Sequence, residues 1–120
     1  MTGAANKLLE LITFNDVGLV PAIAQQHDTG ETLMMAWMNR EAIIETVETS
    51  RVCYFSRSRN SLWGKGESSG QIQALVEIRI DCDGDTILLL VDQTGVTCHT
   101  GRRNCFYRAL RGGEIVKILD

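Results

Sequence analysis

The chain has 120 residues, 44% hydrophobic and 22% charged, which is enough for one folded domain but not for two independent cores. The net charge of −3 argues against general affinity for nucleic acid. The sequence contains no apolar run of about 18 residues, and its N-terminal stretch lacks the pattern of a secretory signal. We therefore expect a single domain over residues 1–120, located in the cytoplasm, with no membrane partner.

The predicted elements are mostly strands. In chain order they are a short helix at 4–12, strands at 19–25 and 32–38, the main helix at 40–49, strands at 52–55, 71–80 and 86–91, and two further strands at 106–110 and 114–119. Turn residues 27–30 join the first two strands into a hairpin, and Asn39 is a good N-cap for the main helix. Apolar residues alternate through the strand at 71–80, which predicts that it is half-buried. The pattern predicts an α+β domain, a mostly antiparallel or mixed β-sheet with one main helix.

Residues 56–70 have no periodicity and are rich in serine, glycine and cations, so we interpret them as a functional loop. Arg57, Arg59 and Lys65, with nearby glycine N–H groups, form a plausible phosphate-binding surface. Trp63 could stack on a base or anchor the loop in the core. A cation-rich loop is more often simply solvated. Arginine is frequent again between 102 and 111, and two basic stretches in an acidic protein favour a small anionic ligand.

Asp81, Asp83 and Asp85 alternate along the chain, which in extended backbone places three carboxylates on one side. A hard divalent cation such as Mg²⁺ relieves their repulsion. A calcium EF-hand does not fit, because its sixth position would be Thr86 rather than glycine and its twelfth Asp92 rather than glutamate. A solvated acidic turn is the alternative to a metal site.

The four cysteines are Cys53, Cys82, Cys98 and Cys105. In a reducing compartment such thiols favour metal binding or catalysis over disulfides. The last three suit Zn²⁺, and three protein ligands leave one position open, as in catalytic zinc sites. Their Cys-x15-Cys-x6-Cys spacing differs from that of structural zinc modules, and core packing is the competing interpretation. We assign Cys53 to packing. His99 could be a zinc ligand, a general base or a structural histidine.

Taken together, these segments resemble one family. The shared motifs lie at 36–39, 54–59, 62–70, 81–85 and 98–106, and the last two are the most specific in their order and spacing. From about Leu19 to Arg108 the chain resembles the phosphoribosyl-AMP cyclohydrolases of histidine biosynthesis. The resemblance implies hydrolytic opening of the N1–C6 purine bond of 1-(5-phosphoribosyl)-AMP. Some relatives carry a fused pyrophosphohydrolase domain, and for 120 residues we expect the cyclohydrolase activity alone.

The resemblance also implies the cofactors and their ligands. It implies Mg²⁺ at Asp81, Asp83 and Asp85, and Zn²⁺ at Cys82, Cys98 and Cys105, with the zinc ligands drawn from both subunits of an intertwined homodimer. His99 is our candidate for proton transfer. The substrate carries two phosphates, and the residues that we expect to contact it are Arg57, Arg59, Trp63, Lys65, Glu67, Ser68, Ser69, Arg102 and Arg103.

A shared zinc site has separate support from chain geometry. Asp85 and Cys98 are separated by a stretch that reaches ~40 Å if extended, so a return to Cys82 within one chain needs a reversal near Gly95.

Two other functions compete with the cyclohydrolase. A zinc nucleobase deaminase would carry His-x-Glu and Pro-Cys-x-x-Cys, which this sequence lacks. A structural zinc protein that binds a nucleotide or a partner is the second alternative.

Overall fold

The computed structural model describes residues 3–67 and 69–119. In chain order its elements are α1 (Gly3–Leu11), β1 (Val20–Gln26), β2 (Thr32–Met38), α2 (Arg40–Thr49), β3 (Cys53–Ser56), β4 (Ser61–Gly64), β5 (Gln73–Ile80), β6 (Ile87–Gln93), β7 (Arg108–Arg111) and β8 (Glu114–Lys117). Within the described ranges, neither helix has the length and apolarity that a membrane crossing requires. The α+β prediction is confirmed, although the two helices are of similar length rather than one being dominant.

Six of the strands form one mixed sheet in the order β4-β3-β2-β1-β6-β5. The pair β1 and β6 is parallel, and the other neighbours are antiparallel. After the β1–β2 hairpin, β3 and β4 are added to the sheet on the β2 side. The chain later returns so that β6 pairs with the other edge of β1. The strands β7 and β8 form a separate two-stranded sheet.

The large sheet curls so that its two outer parts, at β3 and at β5, approach each other. The Val52 N–H donates to the Gln73 carbonyl at 3.0 Å, and the Leu75 N–H donates to the Ser50 carbonyl at 2.8 Å. These bonds connect the start of β5 to the segment just before β3. Apolar side chains from β1, β2, α2 and β6 fill the core that the curl encloses, with Met38, Ile43, Ile87 and Leu89 among the fully buried ones.

The helix α2 is fixed at both ends by short-range bonds. The predicted N-cap is confirmed, since the Asn39 side chain accepts a 2.9 Å hydrogen bond from the Ala42 N–H. At the other end Ser50 adopts a left-handed conformation, and its N–H donates to the Thr46 carbonyl. The buried Thr46 hydroxyl accepts a hydrogen bond from the Cys53 N–H, which joins the helix to β3.

Two predictions about local structure are wrong. Residues 56–70 are not one irregular loop, because β4 lies within them and pairs with β3 at the edge of the sheet. The even alternation through 71–80 is also interrupted, because a β-bulge between Leu75 and Glu77 shifts the register. Val76 is therefore 53% exposed instead of facing the core with Ile78 and Ile80.

Candidate functional site

The three aspartates lie on the turn between β5 and β6. One carboxylate oxygen from each lies within 4.8 Å of those of the other two, and all three side chains are exposed. The Asp81 side chain also shapes the turn, because its Oδ1 accepts hydrogen bonds from the N–H groups of Asp85 at 3.0 Å and Thr86 at 3.3 Å. The structure therefore brings the predicted magnesium ligands together.

The aspartate turn is docked on the segment that follows α1. Gly84 has φ +74°, and a Cβ at this position would lie 2.3 Å from the Leu11 carbonyl oxygen. The Thr13 N–H donates to the Gly84 carbonyl at 2.7 Å. Glycine is therefore required both by the backbone conformation and by the close approach of α1.

The carboxylates do not titrate alike. Desolvation raises the pKa of Asp81, but hydrogen bonds from Asp85 and from the N–H groups of Thr86 and Gly84 outweigh it, so this pKa lies below its ordinary value. The pKa of Asp85 lies above its ordinary value because of its hydrogen bond with Asp81 and the negative charges of Asp81 and Asp83. A bound cation would remove the repulsion that raises it.

The cysteine loop, which we define as residues 97–105, follows β6. Two backbone bonds close it: the Thr97 N–H donates to Arg103 O, and the Cys98 N–H donates to Arg102 O. A third bond, from the Cys105 N–H to the Leu33 carbonyl at 2.8 Å, attaches the loop to the start of β2. The loop thus brings Cys98 and Cys105 side by side.

The two thiols of the loop influence each other and a nearby ammonium group. The Thr100 hydroxyl donates a 3.0 Å hydrogen bond to Cys98 Sγ and lowers the pKa of that thiol. Burial and the charge of Cys98 raise the pKa of Cys105 to about 11. Lys65 donates from Nζ to the Thr97 carbonyl at 3.0 Å. Burial lowers the pKa of Lys65, and the two thiolates oppose that effect. The predicted phosphate contact Lys65 therefore lies against the thiols.

Cys82 is not part of this thiol pair. It lies on the aspartate turn before β6, whereas Cys98 and Cys105 lie after β6. A strand of that length spans roughly 20 Å. Among the described residues, the three aspartates are the only set of three or more potential metal ligands that the structure groups together. The three predicted zinc ligands therefore do not converge within one chain.

His99 lies next to Cys98 on a turn that the Gly101 N–H closes by donating to the Cys98 carbonyl. Its side chain is exposed, whereas Cys98 beside it is buried. This position suits a group that exchanges protons with a bound molecule. Cys53, by contrast, is buried, as its assignment to packing predicted.

Several predicted substrate contacts are engaged within the chain. In the 56–70 segment, Arg57 lies over the Trp37 ring at 4.9 Å, and Arg59 Nε donates to the Ser56 hydroxyl at 3.5 Å. Trp63 packs against Tyr54 with ring centroids 5.1 Å apart, and Glu67 accepts from the Gly64 N–H. Ser69 accepts from the Gln71 N–H, and Ser68 lies outside the described residues. These contacts give the segment a defined shape.

The two arginines of the cysteine loop also have partners. Arg102 stacks on the Tyr107 ring at 3.9 Å, and Arg103 forms an ion pair with Glu31 at 2.6 Å. Glu31 lies in the β1–β2 turn and was not among the predicted site residues. Nothing in its local sequence distinguishes it from any polar turn residue, and only the tertiary structure connects it to the cysteine loop.

An open groove of about 780 Å³ runs between the end of α2 and residues 64–67 with Gly70. Lys65 and Glu67 line it, together with residues that the sequence did not single out, notably Glu45, Arg51 and Cys53. The volume falls within the range of small-molecule sites. Burial and the carboxylates of Glu45 and Glu67 raise the pKa of Cys53 to about 11, so this thiol is not an activated nucleophile.

Comparison with known proteins identifies the family. The family model for phosphoribosyl-AMP cyclohydrolase matches residues 34–107, which include the aspartate turn and the cysteine loop. The chain is 73% identical over 114 residues to a phosphoribosyl-AMP cyclohydrolase of Granulibacter bethesdensis, covering 94% of this chain and 89% of the relative. It is 64% identical over 119 residues to one of Rhodospirillum centenum, covering 99% and 90%. The chain therefore belongs to the phosphoribosyl-AMP cyclohydrolase family, whose members are hydrolases acting on a cyclic amidine C–N bond.

Proposed function

We propose that this protein opens the N1–C6 purine bond of 1-(5-phosphoribosyl)-AMP by hydrolysis, a step of histidine biosynthesis carried out in the cytoplasm. The observation that supports it most is family membership over a span that contains both the aspartate turn and the cysteine loop. The groove beside residues 64–67, with Lys65 in its wall, offers a nucleotide-sized volume.

The thiol donor set fits zinc. We propose Cys82, Cys98 and Cys105 as its ligands, and the close pair Cys98 and Cys105 already presents two soft donors from one loop. Zinc bound there would supply a water acidic enough to ionise near neutral pH. The protein's own contribution is to stabilise the Cys98 thiolate, which Thr100 does by its hydrogen bond to Cys98 Sγ.

The carboxylate donor set fits a hard cation. Asp81, Asp83 and Asp85 offer oxygens within 4.8 Å of one another on a turn that the Asp81 side chain closes by accepting from the Asp85 and Thr86 N–H groups. Oxygen ligands on a carboxylate-rich turn suit Mg²⁺ better than zinc. We propose that this cation positions a phosphate or the purine ring.

The remaining chemistry is proton transfer and substrate binding. We assign the proton transfers to His99, which is exposed and adjacent to a proposed zinc ligand. The cations Arg57, Arg59 and Lys65 would meet the phosphates, with Trp63, Glu67, Ser68 and Ser69 alongside them. Arg102 and Arg103 would join them from the cysteine loop, where they also contact Tyr107 and Glu31.

We propose further that the active unit is a homodimer with zinc ligands from both subunits. Within one chain β6 separates Cys82 from the thiol pair, so a partner's loop is the direct way to complete the site. The β7–β8 hairpin supports the same proposal. Two-stranded hairpins are marginal alone in water, yet Leu110 and Ile115 on this one are about 70% exposed.

The activity is tested by incubating the protein with 1-(5-phosphoribosyl)-AMP, zinc and magnesium and following the ultraviolet absorbance change of ring opening. Turnover that a chelator abolishes and zinc restores is the expected result. Absence of turnover with both metals present would contradict the proposed activity.

The shared site is tested separately by subunit exchange between Cys82→Ala and Cys98→Ala proteins, each inactive alone. A mixed dimer would keep one intact site, so random exchange should restore roughly a quarter of wild-type activity. No recovery under conditions where exchange is shown to occur would contradict a shared site while leaving the activity itself untouched.

A further inference from the structure

One carboxylate in the β1–β2 turn connects to the cysteine loop at two points. Glu31 Oε1 accepts a 2.6 Å hydrogen bond from Arg103 Nη2, and Glu31 Oε2 accepts a 2.8 Å hydrogen bond from Asn104 Nδ2. Arg103 and Asn104 immediately precede Cys105. Both oxygens of one side chain are thus used to hold the two residues in front of a single thiol.

A further hydrogen bond fixes the backbone that follows Cys105. Asn104 Oδ1 accepts a 2.8 Å hydrogen bond from the Phe106 N–H, so the side chain that reaches Glu31 also fixes the backbone after Cys105. The Cys105 N–H itself donates to Leu33, two residues beyond Glu31. Three hydrogen bonds therefore locate residues 103–105 relative to the β1–β2 hairpin, and a fourth fixes Phe106 to Asn104.

Glu31 is itself held in place. Its N–H donates to the Thr29 hydroxyl at 3.1 Å, and its carbonyl accepts from the Gln26 N–H at 2.8 Å. Its side chain is 22% exposed, compared with 69% for Arg103. The carboxylate is thus the fixed partner, and the cysteine loop is the segment that it locates.

We infer that Glu31 is a positioning residue for the zinc site, setting where Cys105 presents its thiolate through its bonds to Arg103 and Asn104. The inference rests on the proposed ligation of zinc by Cys105. A surface ion pair adds little to the free energy of unfolding, so the contact matters mainly for ligand geometry. Losing residues that orient metal ligands typically weakens metal affinity about 10–100-fold.

The test is the zinc affinity of Glu31→Gln, measured by competition with a chromophoric chelator. The glutamine keeps the size of the side chain but can accept only at one oxygen, so it loses one of the two contacts. We expect zinc to bind about ten-fold more weakly than in wild type. The matched control is Glu77→Gln, which removes the exposed ion pair with Arg79 on β5. It should bind zinc as wild type does.

The second variant, Arg103→Gln, removes the contact from the loop side and keeps the test valid if Glu31→Gln fails to fold. Because Glu31 also accepts from Asn104, Arg103→Gln removes one of the two contacts and should likewise weaken zinc binding. Equal zinc affinities for Glu31→Gln and Glu77→Gln, or wild-type zinc affinity in Arg103→Gln where Glu31→Gln does not fold, would overturn the inference alone.

Cobalt substitution separates this outcome from failure of the proposed function. Wild-type protein should show thiolate-to-cobalt absorption in the near ultraviolet. Wild-type protein that shows no such band and binds no zinc would overturn the proposed metal site, and the role of Glu31 with it.

Discussion

The Tyr54 hydroxyl donates a 2.7 Å hydrogen bond to Gln73 Oε1, and both side chains are completely buried. Tyr54 lies on β3 and Gln73 on β5, strands that lie far apart in the sheet order. The bond therefore joins the two sides of the curled sheet across its interior. Burial raises the pKa of Tyr54 far above its ordinary value, so the hydroxyl stays protonated and remains a donor. Gln73 Nε2 has no hydrogen-bond partner within the part of the chain that is described.

Removing that hydroxyl should destabilise the fold. Tyr54→Phe leaves a buried amide without its one side-chain bond, and we expect the free energy of unfolding to fall by about 2 kcal/mol, measured by urea denaturation. Tyr107→Phe is the control, because Tyr107 contacts Arg102 and Arg108 through its ring. Adding Gln73→Leu to Tyr54→Phe should cost less than the two single changes together. A Tyr54→Phe protein as stable as wild type would contradict this role.

Gly66 controls the shape of the groove. It has φ +87°, and a Cβ there would lie 2.5 Å from backbone atoms of Gln71 and Ile72. Gly70 has φ +76°, and a Cβ added there would have no other atom within 4 Å. Both alanine variants carry the left-handed penalty of roughly 1–2 kcal/mol, but only Gly66→Ala must also displace backbone. We expect Gly66→Ala to raise KM at least about ten-fold.

The measurement for this pair is steady-state kinetics with thermal unfolding of both variants. Gly70→Ala should retain a KM near that of wild type. Equal kinetic effects from the two substitutions would show that the backbone conformation matters and that the close contact at Gly66 does not.

The aspartates should separate into a structural and a purely cation-binding group. Asp81 accepts two backbone hydrogen bonds, so Asp81→Ala should lower stability by about 1 kcal/mol as well as weaken magnesium binding. The Asp83 carboxylate accepts no hydrogen bond from any described residue, and Asp83→Ala should leave the metal-free stability within about 0.5 kcal/mol of wild type. The magnesium dependence of activity and urea denaturation without metal test both claims. Equal losses of stability would contradict the distinction.

Cys53 should make the protein sensitive to alkali. Its pKa is raised by burial to about 11, above the ordinary thiol value of 9.0, so its contribution to stability is complete below pH 9 and disappears as pH rises towards 11. At pH 10 we expect a loss of about 1 kcal/mol from this group. Urea denaturation at pH 8 and pH 10 should show a smaller fall for Cys53→Val than for wild type. An identical fall in both would show that the Cys53 thiol does not contribute.

Local signals in the sequence predicted the elements that local interactions determine. Residues 32–38 and 40–49 were predicted with the bounds that the structure shows, because a turn, an N-cap and a clear periodicity define them. The strand β4 was missed because it is an edge strand of only four residues within a segment rich in serine, glycine and cations. The bulge at Val76 was missed because the apolar residues alternate evenly in the sequence, and nothing in that pattern marks Val76 as the extra residue.

The candidate site also has features that the sequence could predict and features that it could not. The aspartates are neighbours in sequence, so their grouping could be predicted from spacing alone. The proximity of Lys65 to the cysteine loop and of Glu31 to Arg103 depends on which strands lie side by side. No local pattern contains that information. Arginines that looked free to meet phosphates are therefore found stacked or paired within the chain.

The parallel pairing of β1 with β6 also governs the order in which the protein can assemble. Gln26 and Asp92, which share a hydrogen bond across this pair, are 66 positions apart in the chain. During synthesis the β1–β2 hairpin must wait with an open edge until β6 emerges, and contacts this distant form slowly. Because β6 directly joins the aspartate turn to the cysteine loop, its insertion fixes both segments in one late event. A nascent chain therefore has neither segment in place until the centre of its sheet is complete.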